Sequence, residues 1–209
     1  MGTEGSGVSE VQDLRAPRWR EFTIEGGDRP VELVRLRRDD DGPGFTVLVR
    51  FPAGWSRPGL GYYDVIEEAL FLEGRFEMSG HAFGAGDYAW LPVGYPRADS
   101  RTPEGALVLA WFSAPNAWLA APTVDAAEGG AVIRHWPTEA REPTPFGSGR
   151  QLHRNAERSA WLLDDLDIGA PAPAAAELFS LSARAWTFNP AGAALPDLSG
   201  PVYARALHA

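Results

Sequence analysis

Short apolar runs separated by glycine-rich or acidic turns recur along the whole chain, and no helical period of any length fits between them. The run at 45–51, FTVLVRF, is β-branched and almost continuously apolar, as expected of a strand buried against another sheet. Further strands are predicted at 19–24, 31–36, 65–72, 75–78, 88–91 and 106–112. Repeated short strands at this close spacing predict an all-β barrel or sandwich rather than a parallel α/β sheet.

The second half of the chain echoes the first half in the order of its apolar runs. Three segments, at 158–170, 175–186 and 197–207, parallel the first-half segments around 45–54, 67–76 and 102–112. A rival interpretation is that any two β-rich segments align this loosely. We expect four regions: a flexible tail or short edge strand at 1–16, a barrel at 17–115, a linker with connecting strands at 116–154, and a degenerate second unit at 155–209.

Composition excludes several kinds of chemistry. The 209 residues carry a formal net charge of −9, which argues against a nucleic-acid partner. All 19 basic residues are arginine and there is no cysteine, so Schiff-base lysine, thiolate nucleophiles and cysteine-bound metals are excluded. The chain shows no apolar leader and no apolar run of membrane-spanning length. A cytoplasmic protein without a membrane partner is therefore expected.

Two spaced patterns lie between positions 54 and 97. Their fixed positions are Gly54, Glu67, Gly74, Gly86, Pro92 and Gly94. This spacing resembles the two sequence blocks of the cupin superfamily, G-x5-H-x-H-x3/4-E-x6-G and G-x5-P-x-G-x2-H. The stretch EEALFLEG at 67–74 is similar to cupin domains of the anti-sigma-factor and polyketide-biosynthesis type. The resemblance implies a cupin-type double-stranded β-helix, or jelly-roll, barrel followed by a degenerate second cupin-like half.

The histidines of those blocks are replaced. In cupins they supply three histidines and a glutamate to a metal ion, and here only Glu67 remains. Two spacings are open, which place at the first two histidine positions either Leu60 and Tyr62 or Gly61 and Tyr63. The last position holds Arg97, which has no acceptor atom for a cation. We therefore predict no metal and no cofactor.

The chain's own histidines and acids do not restore a metal site by their spacing. His81, His135, His153 and His208 stand at unrelated positions, and a lone histidine in a turn is usually solvated. A relocated site at Asp64, Glu67 and Glu68 would suit a hard cation better than iron. Neither arrangement is expected.

The resemblance directs Glu67, Arg97 and either Tyr62 or Tyr63 into the cavity of the barrel. Such a group suits acid–base chemistry, in which tyrosine donates a proton, Glu67 accepts one and Arg97 stabilises an oxyanion. The alternative is a buried ion pair between Glu67 and Arg97 that plugs an inactive barrel. Both interpretations stay open on the sequence.

Aromatic residues are concentrated in the barrel block, and most of them belong to a core. The remainder would give a pocket with apolar walls. The candidates are Trp55, Phe71, Trp90, Tyr95 and Trp111.

Three functions fit these observations. The first is a metal-independent cupin enzyme, an isomerase, cyclase or lyase, that acts on a hydrophobic or aromatic small molecule. The second is a non-catalytic cupin that binds or senses a small molecule, and the third is a metal-dependent cupin oxygenase with displaced ligands. The resemblance also raises a homodimer formed through exposed edge strands.

Overall fold

The computed structural model describes residues 10–38, 44–121, 130–135, 140–156 and 158–207. These residues form strands and connecting turns, with no helix among them. They divide into a barrel unit within Arg18–Trp136 and a second unit made of Met1–Pro17 and Pro137–Ala209. No helix in the described ranges is long and apolar enough to span a membrane.

Twelve strands build the barrel unit. They are β2 (Arg20–Phe22), β3 (Val31–Arg38), β4 (Phe45–Phe51), β5 (Trp55–Tyr63), β6 (Glu67–Gly74), β7 (Phe76–Met78), β8 (His81–Phe83), β9 (Tyr88–Leu91), β10 (Arg97–Thr102), β11 (Ala106–Phe112), β12 (Trp118–Ala120) and β13 (Val132–Arg134). Seven strands build the second unit: β1 (Gln12–Asp13), β14 (Glu142–Thr144), β15 (Gly147–Arg154), β16 (Arg158–Leu166), β17 (Ala176–Ser180), β18 (Ala185–Asn189) and β19 (Val202–Leu207).

Two antiparallel sheets enclose the interior of the barrel unit. One has the order β13-β9-β6-β11-β4-β3-β2, and the other has the order β12-β5-β10-β7-β8. The strands of the first sheet other than β13 overlap runs that the sequence predicts as strands. Strands β5 and β10 are not predicted, because WSRPGLGYY and RADSRT lack a continuous apolar pattern.

The second unit repeats the topology of one of these sheets. Its strand order is β1-β18-β17-β19-β16-β15-β14, which matches the seven-stranded sheet of the barrel unit strand for strand. The three segment pairs that the sequence suggests, β4 with β16, β6 with β17 and β11 with β19, occupy equivalent places. The degenerate second cupin-like half is therefore present as a sheet. Among its described residues, no counterpart of the five-stranded sheet is formed.

Interior side chains differ in size between the two units. With Leu72 aligned on Leu181, Ala69 of the barrel unit corresponds to Leu178, and both lie in the buried core of their own unit. The core of the second unit also contains the large residues Phe146 and Trp161. The core of the barrel unit carries large side chains as well, among them Trp55, Phe71 and Phe112.

The unit boundaries differ from those expected. Residues 1–16, for which a flexible tail or a short edge strand is expected, include strand β1, which pairs with Trp186 and Ala185 at the edge of the second unit's sheet. The expected linker at 116–154 contributes β12 and β13 to the barrel unit and β14 and β15 to the second unit. Strands β12, β13 and β14 have only three residues each, and β15 (GSGRQLHR) lacks an apolar run, so their pairing partners reveal them. The expected homodimer through edge strands stays a prediction.

One close backbone approach in the barrel gives a test of the fold. Gly74 has φ +72°, and a Cβ on it would overlap the carbonyl oxygen of Gly105 on the facing strand. Gly80 has nearly the same φ, +79°, but open space around it. Gly80→Ala is expected to cost about 1 kcal/mol of unfolding free energy from the left-handed backbone alone. Gly74→Ala is expected to cost about 3 kcal/mol or more, because backbone atoms must move.

Urea unfolding of both variants, followed by tryptophan fluorescence, measures these costs. Equal destabilisation by the two substitutions would contradict the close approach of Gly74 to Gly105.

Candidate functional site

A cavity of about 400 Å³ lies between the two sheets of the barrel unit. Small and aromatic side chains form most of its wall. They include Val31, Val47, Val49, Phe51, Trp55, Ala69, Phe71, Phe76, Val108, Ala110 and Phe112. The volume falls in the range of small-molecule pockets, about 300–1,000 Å³. The polar residues Arg57, Tyr63, Glu67 and Arg97 also line this wall.

Strand alternation decides which tyrosine faces the cavity. Tyr63 lies on the cavity wall and is buried, and Tyr62, its neighbour on β5, is absent from the wall formed by the described residues. Successive side chains of a strand point to opposite faces, so only one of the two can face inward. The structure therefore corresponds to the spacing that places Gly61 and Tyr63 at the two histidine positions.

The pairing of β10 with β5 changes register next to Arg97. The two steps along β10 from Ala98 to Ser100 face three steps along β5, so the extra residue belongs to β5. Asp99, in the middle of this stretch of β10, has φ +49°, and its carboxylate accepts a hydrogen bond from the Gly59 amide. Such an irregularity changes the alternation of side chains. Arg97 and Ser100, three positions apart on β10, are therefore both buried, and Arg97 lines the cavity.

Glu67 and Arg97 form an ion pair within the cavity wall. Arg97 Nη1 lies 2.5 Å from Glu67 Oε2, and their side chains are only 4% and 13% exposed. The contact is close but does not meet hydrogen-bond geometry at Glu67 Oε2, which has no other hydrogen-bond donor among the described residues. The Arg97 guanidinium also lies over the Tyr63 ring, 4.6 Å from its centre. Three of the side chains predicted from the sequence therefore meet.

Arg57 and Trp118 are part of this cluster and are not identified from the sequence. Arg57 Nη1 donates a hydrogen bond to Tyr63 Oη at 2.9 Å. The same guanidinium stacks on Trp118, 3.7 Å from the ring centre. Because β5 contains proline and two glycines, its sequence does not show a strand pattern. The even spacing that places Arg57 and Tyr63 on one face of the strand therefore goes unrecognised in the sequence.

Trp118 also occupies the space of the first histidine position. A Cβ built on Gly61 would overlap the ring of Trp118 and the carbonyl oxygen of Leu119. Strand β12 pairs with β5 here, with Trp118 opposite Tyr63. A larger side chain at position 61 would displace this indole. The lack of a side chain at Gly61 therefore leaves room for the Trp118 ring, at a position where cupins have a metal ligand.

The aromatic residues named from the sequence separate into two groups. Trp55 and Phe71 line the cavity. Trp90 and Trp111 are not among its described lining residues, whereas their neighbours Leu91 and Phe112 are. Alternation along β9 and β11 places the two tryptophans on the opposite face of the sheet.

Tyr95 lies outside the described cavity wall but packs against the same core. Its partial burial raises the pKa of its phenol above the ordinary value, and the nearby charge of Arg97 acts in the opposite direction.

The residues at the cupin ligand positions do not fit a transition-metal ion. Gly61 offers no donor, and the Glu67 carboxylate is in contact with a guanidinium, which repels a cation. Among the described residues, no group of three histidine, cysteine, aspartate or glutamate side chains is placed to hold a metal. His135 Nδ1 lies 3.2 Å from Asp87, and His81 lies beside the Phe83 ring. Glu68 accepts a hydrogen bond from Tyr88, away from this wall.

Comparison with known proteins places the fold. No known family model matches the chain, and no curated protein matches it in sequence. A solved structure from Nostoc punctiforme, for which a dioxygenase activity is proposed, superposes with a TM-score of 0.75 and 13% identity over 96% of this chain and 82% of that one. YlbA from Escherichia coli superposes with a TM-score of 0.66 and 11% identity over 97% and 92%.

A third structure, proposed to be a glyoxylate-induced protein of Pseudomonas aeruginosa, superposes with a TM-score of 0.60 and 12% identity over 90% of this chain and 84% of that one. At these identities the likeness concerns the fold alone. The chain has a two-unit cupin fold, as the spacing of its glycines, proline and glutamate predicts.

The ion pair gives a prediction about stability. Glu67→Gln and Arg97→Met each leave one buried charge without its partner, which is expected to cost about 3 kcal/mol of unfolding free energy. The double variant removes both charges and is expected to cost clearly less than the sum. Urea unfolding of the four proteins measures the coupling.

The exposed pair Glu32 and Arg50, on neighbouring strands of the seven-stranded sheet, provides a matched control. Its double variant is expected to show little coupling, because water screens exposed charges. Strictly additive effects of Glu67→Gln and Arg97→Met would contradict a buried ion pair.

Proposed function

We propose that the barrel unit is a metal-independent enzyme that binds a largely apolar small molecule and moves a proton next to its carbonyl group. The observation that carries the proposal is the cluster of Tyr63, Glu67 and Arg97 on the wall of an otherwise apolar cavity. Isomerases, cyclases and lyases of the acid–base type need a base, an acid and an oxyanion partner in such a place.

In the proposed proton transfer, one negative charge moves from the Glu67 carboxylate to the carbonyl oxygen of the ligand. The Glu67 carboxylate takes a proton from the carbon beside the carbonyl, and the electron pair of the broken C–H bond moves to the carbonyl oxygen. Arg97 loses its anionic partner at Glu67 and gains one on the ligand. Its own charge therefore stays compensated throughout the step. Return of the proton to a different carbon gives an isomer and restores Glu67.

Tyr63 is suited to donate a hydrogen bond to the developing oxyanion. Its oxygen already accepts a hydrogen bond from Arg57, so its own O–H hydrogen is free to point elsewhere. A preorganised donor in a water-poor cavity stabilises an oxyanion more than water does. This arrangement supports catalysis over a plug made of one ion pair.

The alternative is a cupin that binds or senses the same kind of molecule without changing it. The direct contact between Glu67 and Arg97 favours it, since the carboxylate is already engaged by a guanidinium. Both functions need the cavity and differ only in proton transfer.

Solvent deuterium exchange distinguishes the two functions. The neutral aryl ketone 4-phenylbutan-2-one, incubated with the protein in deuterated buffer, is expected to exchange its hydrogens beside the carbonyl faster than without protein. Glu67→Gln keeps the size of the side chain but removes the base, and is expected to lower this rate by roughly 10²-fold or more.

The control for this assay is Glu73→Gln, an exposed position on the same strand. With this variant, the hydrogens of the ketone are expected to exchange at the same rate as with wild-type protein. Exchange that is equally fast in wild type and Glu67→Gln would reject the catalytic role and leave the binding function.

Metal independence is tested on the same preparation. Protein purified without an affinity tag and dialysed is expected to hold far less than one equivalent of iron, zinc or nickel by elemental analysis, and its exchange rate is expected to withstand EDTA. A full equivalent of any of these metals, retained through dialysis, would overturn this part of the proposal and favour the oxygenase with displaced ligands.

A further inference from the structure

Arg57 is a buried cation whose charge is not balanced within the described part of the chain. The residue is 4% exposed and lines the cavity. Its polar contact is the Tyr63 phenol, and its face lies on the Trp118 indole. Its Nε atom is buried without a hydrogen-bond partner among the described residues. No described carboxylate lies within ion-pair distance of it.

Two other buried arginines have a carboxylate partner. Arg97 is paired with Glu67 in the same cavity, and Arg205 is paired with Glu177 in the second unit. Arg35 lines the cavity but is exposed to solvent. A phenol and an indole face offset only part of the cost of a buried cation. Arg57 thus has an unmet requirement for negative charge, and it faces a space large enough for a ligand.

We propose that Arg57 binds the carboxylate of the ligand, which makes the ligand an apolar monocarboxylic acid. The inference rests on the proposed function in taking this cavity as the ligand site. A guanidinium binds a carboxylate through two parallel N–H···O hydrogen bonds along its edge. Because the face of Arg57 is stacked on Trp118, its edge is the part left for such a bond.

The charge of the cavity favours one negative charge on the ligand. The described lining residues contain the cations Arg35, Arg57 and Arg97 and the anions Glu25 and Glu67. One positive charge is in excess, so a carboxylate balances it. A phosphate dianion would leave a negative charge among apolar walls, which is costly.

Tyr63 connects the two polar functions of the cavity. It accepts a hydrogen bond from Arg57 and lies beneath the Arg97 guanidinium. A ligand held by its carboxylate at Arg57 therefore has its next atoms near Tyr63 and Glu67. Together with the proposed proton transfer, this placement indicates an oxo acid with an aromatic or alkyl body as the substrate class.

Calorimetric titration with a matched pair of probes tests the anion site directly. 1-Naphthylacetate and 1-naphthylacetamide have the same body and differ in charge. Wild-type protein is expected to bind the carboxylate at least about tenfold more tightly, since a charge-assisted pair replaces a neutral hydrogen bond. Equal affinities, a preference for the amide, or binding of neither probe would overturn the proposal.

Arg57→Gln keeps a donor for Tyr63 but removes the charge, and is expected to abolish the preference for the carboxylate. Arg101→Gln removes a positive charge from an exposed position on the neighbouring strand, and this variant is expected to retain the preference for the carboxylate. If Arg57→Gln does not fold, as judged by its melting transition, Arg57→Met is the second uncharged variant. A carboxylate preference that persists in a folded uncharged variant would also overturn the proposal.

This experiment fails independently of the deuterium exchange assay. The exchange probe is a neutral ketone that needs Glu67, and the calorimetric probes carry no ketone. Exchange without a carboxylate preference would overturn the role of Arg57 and keep the proton transfer. A carboxylate preference without exchange would keep Arg57 as the anion site of a binding protein.

Discussion

The barrel must keep charged side chains stable inside an apolar enclosure, and the direct contact of Glu67 with Arg97 meets this requirement. Either charge alone would be costly there, because desolvation of a single ion costs several kcal/mol. The contact is made across two sheets: Glu67 begins β6 and Arg97 begins β10. It therefore also fixes the distance between the sheets at this end of the cavity. Tyr63 lies against the same guanidinium and is oriented by it.

The interiors of the two units differ at the position of Glu67, the acid of the Glu67–Arg97 pair. At the position of Glu67 the second unit has Ala176, and its sheet is covered by an apolar core. Its buried ion pair, Glu177 with Arg205, corresponds instead to Glu68, one residue along the strand and so on the other face. Among the described residues, the barrel unit is the one that keeps both sheets, and the cavity with Glu67 and Arg97 on its wall lies between them.

A metal ion and a guanidinium solve the same electrostatic problem in different ways. The metal of a cupin compensates its glutamate and fills the coordination positions around it, whereas Arg97 compensates Glu67 and Trp118 fills the space over Gly61. The cavity also holds a second guanidinium, that of Arg57, which has no acid of its own among the described residues. This excess charge supports the proposed ligand site over a barrel closed by one ion pair, because a closed barrel gains nothing from an unbalanced cation.

The sequence by itself determined the all-β class, the strands β4, β6, β9 and β11, and the order of the echo in the second half. These features depend on local apolar patterns and turn residues, which are readable without distant partners. The resemblance of the spaced glycines, proline and glutamate to the cupin blocks likewise predicted that Glu67 and Arg97 lie at one site. Only the tertiary structure showed that Tyr63, and not Tyr62, lines the described cavity wall. It also added Arg57 and Trp118 to the site, and it placed Trp90 and Trp111 outside the described wall. Strands such as β5 and β12 are established only by pairing, and the alternation of β10 is interrupted at Asp99, where its pairing with β5 shifts register. Side-chain orientation there is set by hydrogen bonds between residues far apart in sequence, which no local pattern contains.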